Sequence, residues 1–483
     1  MRGGGRTLAR RKDDISDPIL RAVKPQPEPS KDDLYKPEKE KPKLAAGGSP
    51  AARRTGFDQA RRQGPLGWLQ ILGPGLITGA SDDDPSGIGT YSQVGSQFGF
   101  GLLWTALFTF PLMTAVQELC ARIALQTGVG LGVSLRRKFP TLLVAIAVLG
   151  LLIANTINVG ADLGAVAAGG ELLSRGAIHA IWLIVPVALL IIGMQLFATY
   201  ATIFKIFKWL TLALFAYVIT AIFAHPPLVE VLRATLIPHL EPSKDFIMAL
   251  VAVLGTTISP YLFFWQASSE VDELRAAGRT TEAGRRGLKL SELRAARADI
   301  MIGMAFSNLV MYFIILTSGA VLHAHGNAQV QTASQAAAAL APLAGPFAFI
   351  VFAIGMIGSG LLAIPILSGS AAYALKEFLG LPGRLASKPR YRPTFYIMLA
   401  VATLIGVAMN FMRLDPIRAL FITAVINGVV APPLLALIVL LGADRRVMKS
   451  SVSGRLSLTL TWAATGLMAL AAVAMFATLL AGG

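Results

Sequence analysis

The sequence predicts an all-α membrane protein with about eleven transmembrane helices, and three observations support this fold class. Hydrophobic residues make up 54% of the 483 residues and charged residues only 14%, whereas soluble domains usually carry about 25% charged residues. Long apolar runs recur, each close to the ~20 residues that a helix needs to cross a bilayer. Two of these runs are interrupted at their middles. The composition excludes a disordered protein, a disulfide scaffold and an ordinary soluble enzyme.

The first 66 residues differ in composition from the rest of the chain. They lack hydrophobic periodicity, are rich in Lys, Asp, Glu and Pro, and hold 16 basic and 9 acidic residues. This composition predicts a disordered basic cytoplasmic tail over residues 1–66. The tail has no apolar segment before a small-residue cleavage site, so we do not expect a signal peptide.

The formal net charge is +16. Much of the basic excess outside the tail lies in short loops between apolar runs, where Lys and Arg set membrane topology. A basic face interleaved with aromatic residues, as nucleic-acid binding requires, is missing from the sequence. We therefore expect the lipid bilayer, and no nucleic acid, as a partner. The single cysteine, Cys120, excludes an intramolecular disulfide and a Cys-based metal cluster, and no cofactor is expected.

Residues 67–483 are predicted to form one transmembrane domain. A first group of five spans covers about 67–225, a second group of five covers about 246–441, and an extra helix covers about 455–480. The eleven apolar runs, numbered as spans 1 to 11, lie at 69–98, 101–126, 141–172, 178–199, 203–224, 246–268, 299–323, 346–377, 394–412, 415–441 and 455–480.

The distribution of Lys and Arg predicts the orientation of these spans. The loop between spans 6 and 7 carries seven basic residues between 275 and 297, whereas the loop at 322–345 carries none. The same alternation holds for the other loops. We therefore expect a multi-pass protein of the cell membrane with its N-terminus in the cytoplasm and its C-terminus outside.

Spans 1 and 6 combine Gly, Pro and polar residues at bilayer depth. Span 1 reads Gly-Ala-Ser-Asp-Asp-Asp-Pro-Ser-Gly over 79–87, and span 6 reads Gly-Thr-Thr-Ile-Ser-Pro-Tyr over 255–261. Proline removes a backbone donor and glycine permits unwinding, and unwound backbone in a membrane must line a cavity. Because each break opens a group of five spans, the pattern predicts a transporter with two inverted repeats and a midplane site. Two ordinary proline kinks are the alternative.

Three consecutive aspartates, Asp82, Asp83 and Asp84, stand at the span 1 break. An ionised Asp at a helix centre costs roughly 2.5–3.5 kcal/mol on insertion scales, so three of them are not expected at a simple kink. Carboxylates beside unwound carbonyls suit hard cations such as Mg²⁺, Ca²⁺ and Mn²⁺. We therefore expect a divalent cation as the substrate.

The span 1 motif resembles the Nramp family of divalent metal transporters. That family shows Gly-Pro-Gly, then Asp-Pro-Gly-Asn at the break, then a Thr and Gln-Ala-Gly. The corresponding residues are Gly73-Pro74-Gly75, Asp84-Pro85-Ser86-Gly87, Thr90 and Gln93-Val94-Gly95, and Asp415-Pro416-Ile417-Arg418 is similar to the family's Asn-Pro-x-Arg. The resemblance covers about 66–480 and implies a LeuT-like fold that transports metal by alternating access.

The resemblance also implies a metal site between spans 1 and 6. In the family, the ion lies between an Asp and an Asn of span 1 and a Met of span 6. Only the Asp carries over, as Asp84, because the Asn position is Gly87 and the Met position is Ser259. The loss of the soft thioether disfavours transition metals, and the small residues leave room for the waters that Mg²⁺ retains. This pattern resembles the Nramp-related magnesium transporters.

Residues associated with proton coupling in the family are replaced as well. The span 3 Glu of proton-linked members is Ala165 in this chain, with Asp162 one turn away on the same helix face. The span 6 His is Tyr261, and span 9 has no internal Arg. These departures imply transport of Mg²⁺, with Mn²⁺ as a second substrate, without obligatory proton coupling.

The candidate metal-site residues are those nearest the two breaks, together with the span 3 acid: Asp84, Asp83, Gly87, Asp162, Thr257 and Ser259. For Asp162 the alternative is an interhelical hydrogen bond, and for Thr257 and Ser259 it is the satisfaction of freed backbone. Three other functions stay open. They are a proton-coupled Mn²⁺ or Fe²⁺ transporter of the ordinary Nramp type, an amino-acid permease on the same fold, and an intramembrane aspartyl protease. The missing Met weighs against the proton-coupled transporter, and the acidic break weighs against the permease. The absence of a Gly-x-Gly-Asp pattern weighs against the protease.

Overall fold

Helices account for all regular structure in the described part of the chain. The computed structural model describes residues 74–197, 212–326, 329–330, 332–381, 393–412 and 415–480. The predicted tail at 1–66 lies outside these ranges, as do the basic residues of two predicted inner loops, at 205–208 and 384–392. The helices that correspond to the predicted spans, numbered like them, are α1a (Pro74–Asp82), α1b (Pro85–Phe98), α2 (Trp104–Thr127), α3 (Thr141–Leu173), α4 (Ala180–Phe197), α5 (Phe215–Phe223), α6a (Lys244–Thr257), α6b (Pro260–Ala276), α7 (Leu290–Val321), α8 (Ala348–Leu379), α9 (Pro393–Asn410), α10 (Pro416–Ala443) and α11 (Arg455–Leu480). Shorter helices, among them Leu131–Lys138 and Leu228–Leu236, lie in the connections.

Eight helical segments within the described ranges are long and apolar enough to cross a membrane. They correspond to spans 3, 4 and 6 to 11. Spans 1, 2 and 5 are not among the eight. Span 1 is divided by its break, α2 carries Glu118 and Arg122 within its 24 residues, and only the last part of span 5 lies within the described ranges. The predicted all-α membrane fold with broken helices 1 and 6 is confirmed.

The break in span 1 lies at Asp83 and Asp84. Helix α1b begins at Pro85. Proline is tolerated in the first turn of a helix, because an amide hydrogen at that position would have no acceptor within the helix. Asp84 caps this helix, because its backbone is extended and its carboxylate accepts a hydrogen bond from the Gly87 amide at 2.8 Å. Such a cap satisfies one of the amides that the first turn leaves without a partner. The local sequence therefore places Asp84 at a helix start in the middle of the span.

The second break lies between the end of α6a at Thr257 and the start of α6b at Pro260. The hydroxyl of Ser259 is within hydrogen-bond distance of two carbonyl oxygens of α6a, those of Gly255 at 2.9 Å and Thr256 at 2.7 Å. These carbonyls belong to the last turn, where helical acceptors run out of amide partners. The side chain of Ser259 thus stabilises the second break by bonding to carbonyls of α6a.

Glycines bring α1a against α7. A Cβ atom added at Gly79 would lie 2.1 Å from the backbone oxygen of Gly303, and Gly75 is confined in the same way. The carboxylate of Asp299 in α7 accepts hydrogen bonds from the amides of Gly75 at 2.7 Å and Leu76 at 3.1 Å. Helix α7 therefore holds the first half of the broken helix both along its packing face and at its start.

Charged contacts join helices at one end of the molecule. Glu118 pairs with Arg122 one turn further along α2 at 2.8 Å, as the i, i+4 spacing predicts. The same carboxylate also binds Arg297 of α7 at 3.1 Å and Ser457 of α11 at 3.0 Å. The pair thus links three helices, which the sequence spacing alone does not indicate.

Candidate cation-binding site

Asp84 meets donors from three parts of the fold. Its Oδ1 accepts from the Gly87 amide, and its Oδ2 accepts from Nδ2 of Asn158 in α3 at 3.1 Å. The hydroxyl of Tyr261 in α6b lies 3.4 Å from Oδ2 and 2.8 Å from the backbone oxygen of Ser81. A tyrosine hydroxyl has one hydrogen and donates to one of these acceptors at a time. The carboxylate therefore lies where α1b, α3 and α6b meet.

Asp162 of α3 lies beside Asp84. Its side chain is fully buried, and neither carboxylate oxygen has a hydrogen-bond partner within the described ranges. The charges of the two aspartates interact, and the backbone amide of Ser86 at the start of α1b is close to both. The Ser86 amide thus approaches Asp162 from a neighbouring helix, and the carboxyl groups of Asp84 and Asp162 form an acidic pair.

Asp82 and Asp83 face α7 instead. The hydroxyl oxygen of Ser307 lies 2.7 Å from Oδ2 of Asp82 and 3.3 Å from Oδ1 of Asp83. The remaining oxygen of each carboxylate has no hydrogen-bond partner in the described part of the chain. The three consecutive aspartates thus separate, with Asp84 directed to α3 and α6b and the first two directed to α7.

The hydroxyl groups predicted at the second break are engaged locally. Thr257 donates to the Val253 carbonyl at 2.6 Å and contacts the Tyr91 hydroxyl at 3.2 Å. Like Ser259, it satisfies backbone of α6a, and neither hydroxyl is hydrogen-bonded to Asp84 among the described residues. Gly87 borders this break, because a Cβ atom added to it would lie 3.5 Å from Oγ1 of Thr256. The structure therefore brings Asp84, Asp162 and Gly87 together and leaves Thr257 and Ser259 at the edge.

The four aspartates are closed off from solvent, with no more than 2% exposure each. Within the described ranges, their hydrogen-bond partners are neutral groups, and no three His, Cys, Asp or Glu side chains converge as a set of metal ligands. Buried carboxylates are costly without a positive partner. The cluster is therefore suited to a cation that brings its own charge and keeps part of its hydration shell.

Asn158 and Ser307 are two residues of this cluster that sequence reasoning missed. Asn158 lies four residues before Asp162, so the two share one face of α3. Asn155 lies three residues earlier still, and this polar spacing in an apolar helix was a usable signal. Ser307 is one small hydroxyl residue in α7 and gives no comparable signal.

Comparisons with known proteins agree with this fold. The profile of the Nramp family, described as natural resistance-associated macrophage protein-like, matches residues 75–478. The divalent metal cation transporter MntH of Pectobacterium carotovorum is 24% identical over 389 residues, which cover 80% of this chain and 89% of that protein. The divalent metal cation transporter MntH of Yersinia enterocolitica is 27% identical over 309 residues, which cover 61% and 69% of the two chains.

Two solved structures share the architecture. A crystal structure of a mutant of the Eremococcus coleocola manganese transporter matches with a TM-score of 0.64 at 17% identity, covering 83% of this chain and 84% of that one. Mhp1, a nucleobase-cation-symport-1 family transporter in a closed conformation with bromovinylhydantoin bound, matches with a TM-score of 0.51 at 14% identity. This second match covers 84% of this chain and 93% of that one. At these identities the matches show the fold alone, which is the predicted LeuT-like fold.

The family profile covers most of the chain and includes both breaks and the four aspartates. The predicted family resemblance is therefore confirmed. The chain belongs to the Nramp family, and it is a multi-pass membrane transporter rather than an enzyme.

Proposed function

We propose that this protein transports divalent metal cations, with Mg²⁺ as its preferred substrate and Mn²⁺ as a second one. The observation that carries the proposal is Asp84, a buried carboxylate at a helix break that is oriented by Asn158 and lies beside Asp162. The relatives named as divalent metal cation transporters support the same substrate class. Asp84 is the direct ligand in this proposal, and Asp162 supplies a second negative charge.

The preference for Mg²⁺ rests on the groups around Asp84. The described groups that approach its carboxylate are the backbone amides of Gly87 and Ser86, an Asn side chain and a Tyr hydroxyl. Gly87 has no side chain, and Ser259 stands where the family carries its Met. A carboxylate without a soft ligand nearby suits Mg²⁺, which prefers oxygen ligands, dehydrates reluctantly and is usually held by one or two carboxylates and several waters.

Transport by alternating access requires that the closed site open to each side in turn. Helix α1a is held on α7 through the Gly79–Gly303 crossing and the Asp299 cap. In the orientation that the basic loops predict, with the N-terminus in the cytoplasm, α1a forms the inner half of span 1. Release of α1a from α7 then opens the site to the cytoplasm in this proposal, and re-forming these contacts closes it.

One contact favours a second candidate, transport of transition metals. The sulfur of Met311 in α7 lies 3.6 Å from Oγ1 of Thr257, so a thioether borders the second break from a different helix. Thioether sulfur favours softer ions. If Met311 serves as a ligand, Met311→Leu lowers Mn²⁺ uptake and leaves Mg²⁺ uptake unchanged. Equal effects on both ions assign it to packing.

The ion ranking tests the proposed substrate. Purified protein is placed in liposomes, and uptake of Mg²⁺, Mn²⁺, Ca²⁺ and Zn²⁺ is compared at one concentration. We expect Mg²⁺ to enter fastest and Mn²⁺ to enter measurably. Uptake of Mn²⁺ or Zn²⁺ with no Mg²⁺ uptake contradicts the magnesium preference, and no uptake of any divalent cation contradicts the proposed function.

A further inference from the structure

Part of the aspartate cluster faces α7 rather than α3 and α6b. It consists of Asp82, Asp83 and Ser307 and is called the α7-facing cluster below. The Ser307 hydroxyl oxygen lies 2.7 Å from one carboxylate and 3.3 Å from the other. All three residues are no more than 1% exposed.

The hydrogen bonds of this cluster do not satisfy all of its carboxyl oxygens. A serine hydroxyl carries one hydrogen and donates to one carboxylate at a time. Ser307 therefore donates no hydrogen bond in its second contact, where its oxygen lies near a carboxyl oxygen. Oδ1 of Asp82 and Oδ2 of Asp83 have no hydrogen-bond partner among the described residues. Both atoms are buried, and a buried unpaired anionic oxygen is costly. The geometry therefore leaves acceptor positions that a positively charged ligand would satisfy.

Hydrogen-bond partners distinguish this cluster from the Asp84 site, although the charge of Asp84 acts on both of its carboxyl groups. The bound cargo of the proposed function brings two positive charges, which match Asp84 and Asp162. These two carboxylates share the Ser86 amide and lie toward α3. The carboxylates of Asp82 and Asp83 lie toward α7, and within the described ranges no Lys, Arg or His side chain pairs with them. One divalent cation at Asp84 and Asp162 thus leaves the two carboxyl groups on the α7 side without a cationic partner.

We infer that the α7-facing cluster is a second cation site, in which Asp82, Asp83 and Ser307 bind a hard divalent cation with oxygen ligands. Two carboxylates and a hydroxyl form the type of ligand set that Mg²⁺ and Mn²⁺ accept alongside water. The ligands come from α1 and from α7, so an ion bound there joins the broken helix to the helix that holds α1a. The inference rests on the proposed function, because it takes the chain to bind divalent cations.

Binding stoichiometry of the purified full-length chain tests the second site. The probe is Mn²⁺ alone, counted by the loss of its free electron paramagnetic resonance signal at saturation. We expect about two Mn²⁺ ions per wild-type chain and about one in Asp83→Asn and in Ser307→Ala, since each variant removes a ligand of one site only. Asp84→Asn retains about one ion and loses transport, because the α7-facing cluster remains intact.

The matched control is Ser318→Ala. Ser318 is a second buried serine of α7, and its hydroxyl has no hydrogen-bond partner among the described residues. Its loss leaves the stoichiometry at about two. Size-exclusion profiles identify any variant that fails to fold, and Asp83→Asn, which keeps the side-chain shape, serves if Ser307→Ala does not.

The outcomes separate this inference from the proposed function. A wild-type chain that saturates at about one Mn²⁺, lost in Asp84→Asn, overturns the second site and leaves the proposed function standing. About two ions that persist in both Asp83→Asn and Ser307→Ala also overturn it. A wild-type chain that binds no Mn²⁺ overturns the proposed function and the second site together.

Discussion

At the scale of single residues, Asn158 holds the Asp84 carboxylate in position. Its Nδ2 donates to Oδ2 of Asp84, while its own Oδ1 has no hydrogen-bond partner in the described ranges. A hydrogen bond to a charged group contributes about 1.5–3 kcal/mol. The contact orients the carboxylate, so under the proposed function we expect its loss to affect cation binding more than folding.

Asn158→Ala is therefore expected to lower the apparent affinity for the transported cation by roughly 10- to 100-fold, since about 1.4 kcal/mol corresponds to a factor of ten. The measurement is the concentration dependence of Mg²⁺ uptake into liposomes. Asn155→Ala is the control, because Asn155 lies one turn away on α3 and donates to the Leu367 carbonyl instead. Equal losses in the two variants would assign the effect of Asn158 to packing of α3.

Restoring the soft ligand tests the role of Ser259. Ser259→Met with Gly87→Asn is expected to raise the affinity for Mn²⁺ or Cd²⁺ relative to Mg²⁺, because thioether sulfur suits softer ions. A Cβ atom at Gly87 lies 3.2 Å from the Asp82 carbonyl oxygen and from a ring atom of Tyr91, so the Asn must displace its neighbours slightly. Ser259→Met alone is therefore measured beside the double variant. An unchanged ion ranking in both would refute the ligand argument.

At the scale of helices, the contacts between α1a and α7 determine how α1a is held. Its packing face has no space for side chains, since a Cβ atom on Gly303 would lie 2.1 Å from the backbone oxygen of Gly75. Asp299 meanwhile satisfies the first amides of the helix. The Ser307 hydroxyl adds a contact at Asp82, and Tyr261 and Gln266 of α6b bond to the same helix. Movement of α1a as a unit therefore requires these few polar contacts and the close backbone crossing to separate together.

Gly303→Ala is expected to destabilise the closed packing by about 1–3 kcal/mol, as overpacking does in tight contacts. The measurement is the apparent melting temperature of the purified protein, taken together with cation uptake. Gly193→Ala in α4 is the control, because a Cβ atom there meets nothing within 4 Å. That change should be neutral or stabilising by up to about 1 kcal/mol. Identical melting of the two variants would show that the crossing of α1a and α7 is looser than described.

The sequence predicted the two breaks and Asp84 for a local physical reason. Proline after an acidic N-cap fixes where a helix starts, and this signal needs no knowledge of the tertiary structure. The directions of Asp82 and Asp83 depend on how α1a is rotated against α7, which consecutive identical residues do not reveal. The hydroxyl of Ser259 lies against carbonyls in the last turn of α6a, because the break leaves them without amide partners. Local rules therefore predicted where the candidate site lies, whereas its division into two faces depends on helix packing.

Proton coupling is a property of the whole molecule. Metal transport is expected to run without obligatory proton co-transport, because Ala165 and Tyr261 replace the family's span 3 Glu and span 6 His, and α9 contains no Arg. Groups that change charge at working pH are needed to carry protons through a membrane protein. Asp162 is the one buried acid of α3 beside the site and could replace the lost Glu.

This prediction is tested with a pH-sensitive dye inside the liposomes, which reports internal pH during Mg²⁺ entry at a fixed membrane potential. The expected result is entry that follows the ion gradient and the voltage, with no internal acidification. Acidification that tracks metal entry, and that disappears in Asp162→Asn while entry survives, would make Asp162 a proton relay and reverse the prediction.

Mg²⁺ uptake by Asp84→Ala in liposomes tests most directly whether the broken helix of this Nramp protein binds the transported cation. Wild type is compared with Asp84→Ala and with Asp245→Asn, an acid in the first turn of α6a. Size-exclusion profiles establish that all three proteins are folded. The predicted result is uptake by wild type and Asp245→Asn and none above protein-free liposomes by Asp84→Ala. Uptake by folded Asp84→Ala at the wild-type rate would contradict the assignment of Asp84 as the metal ligand.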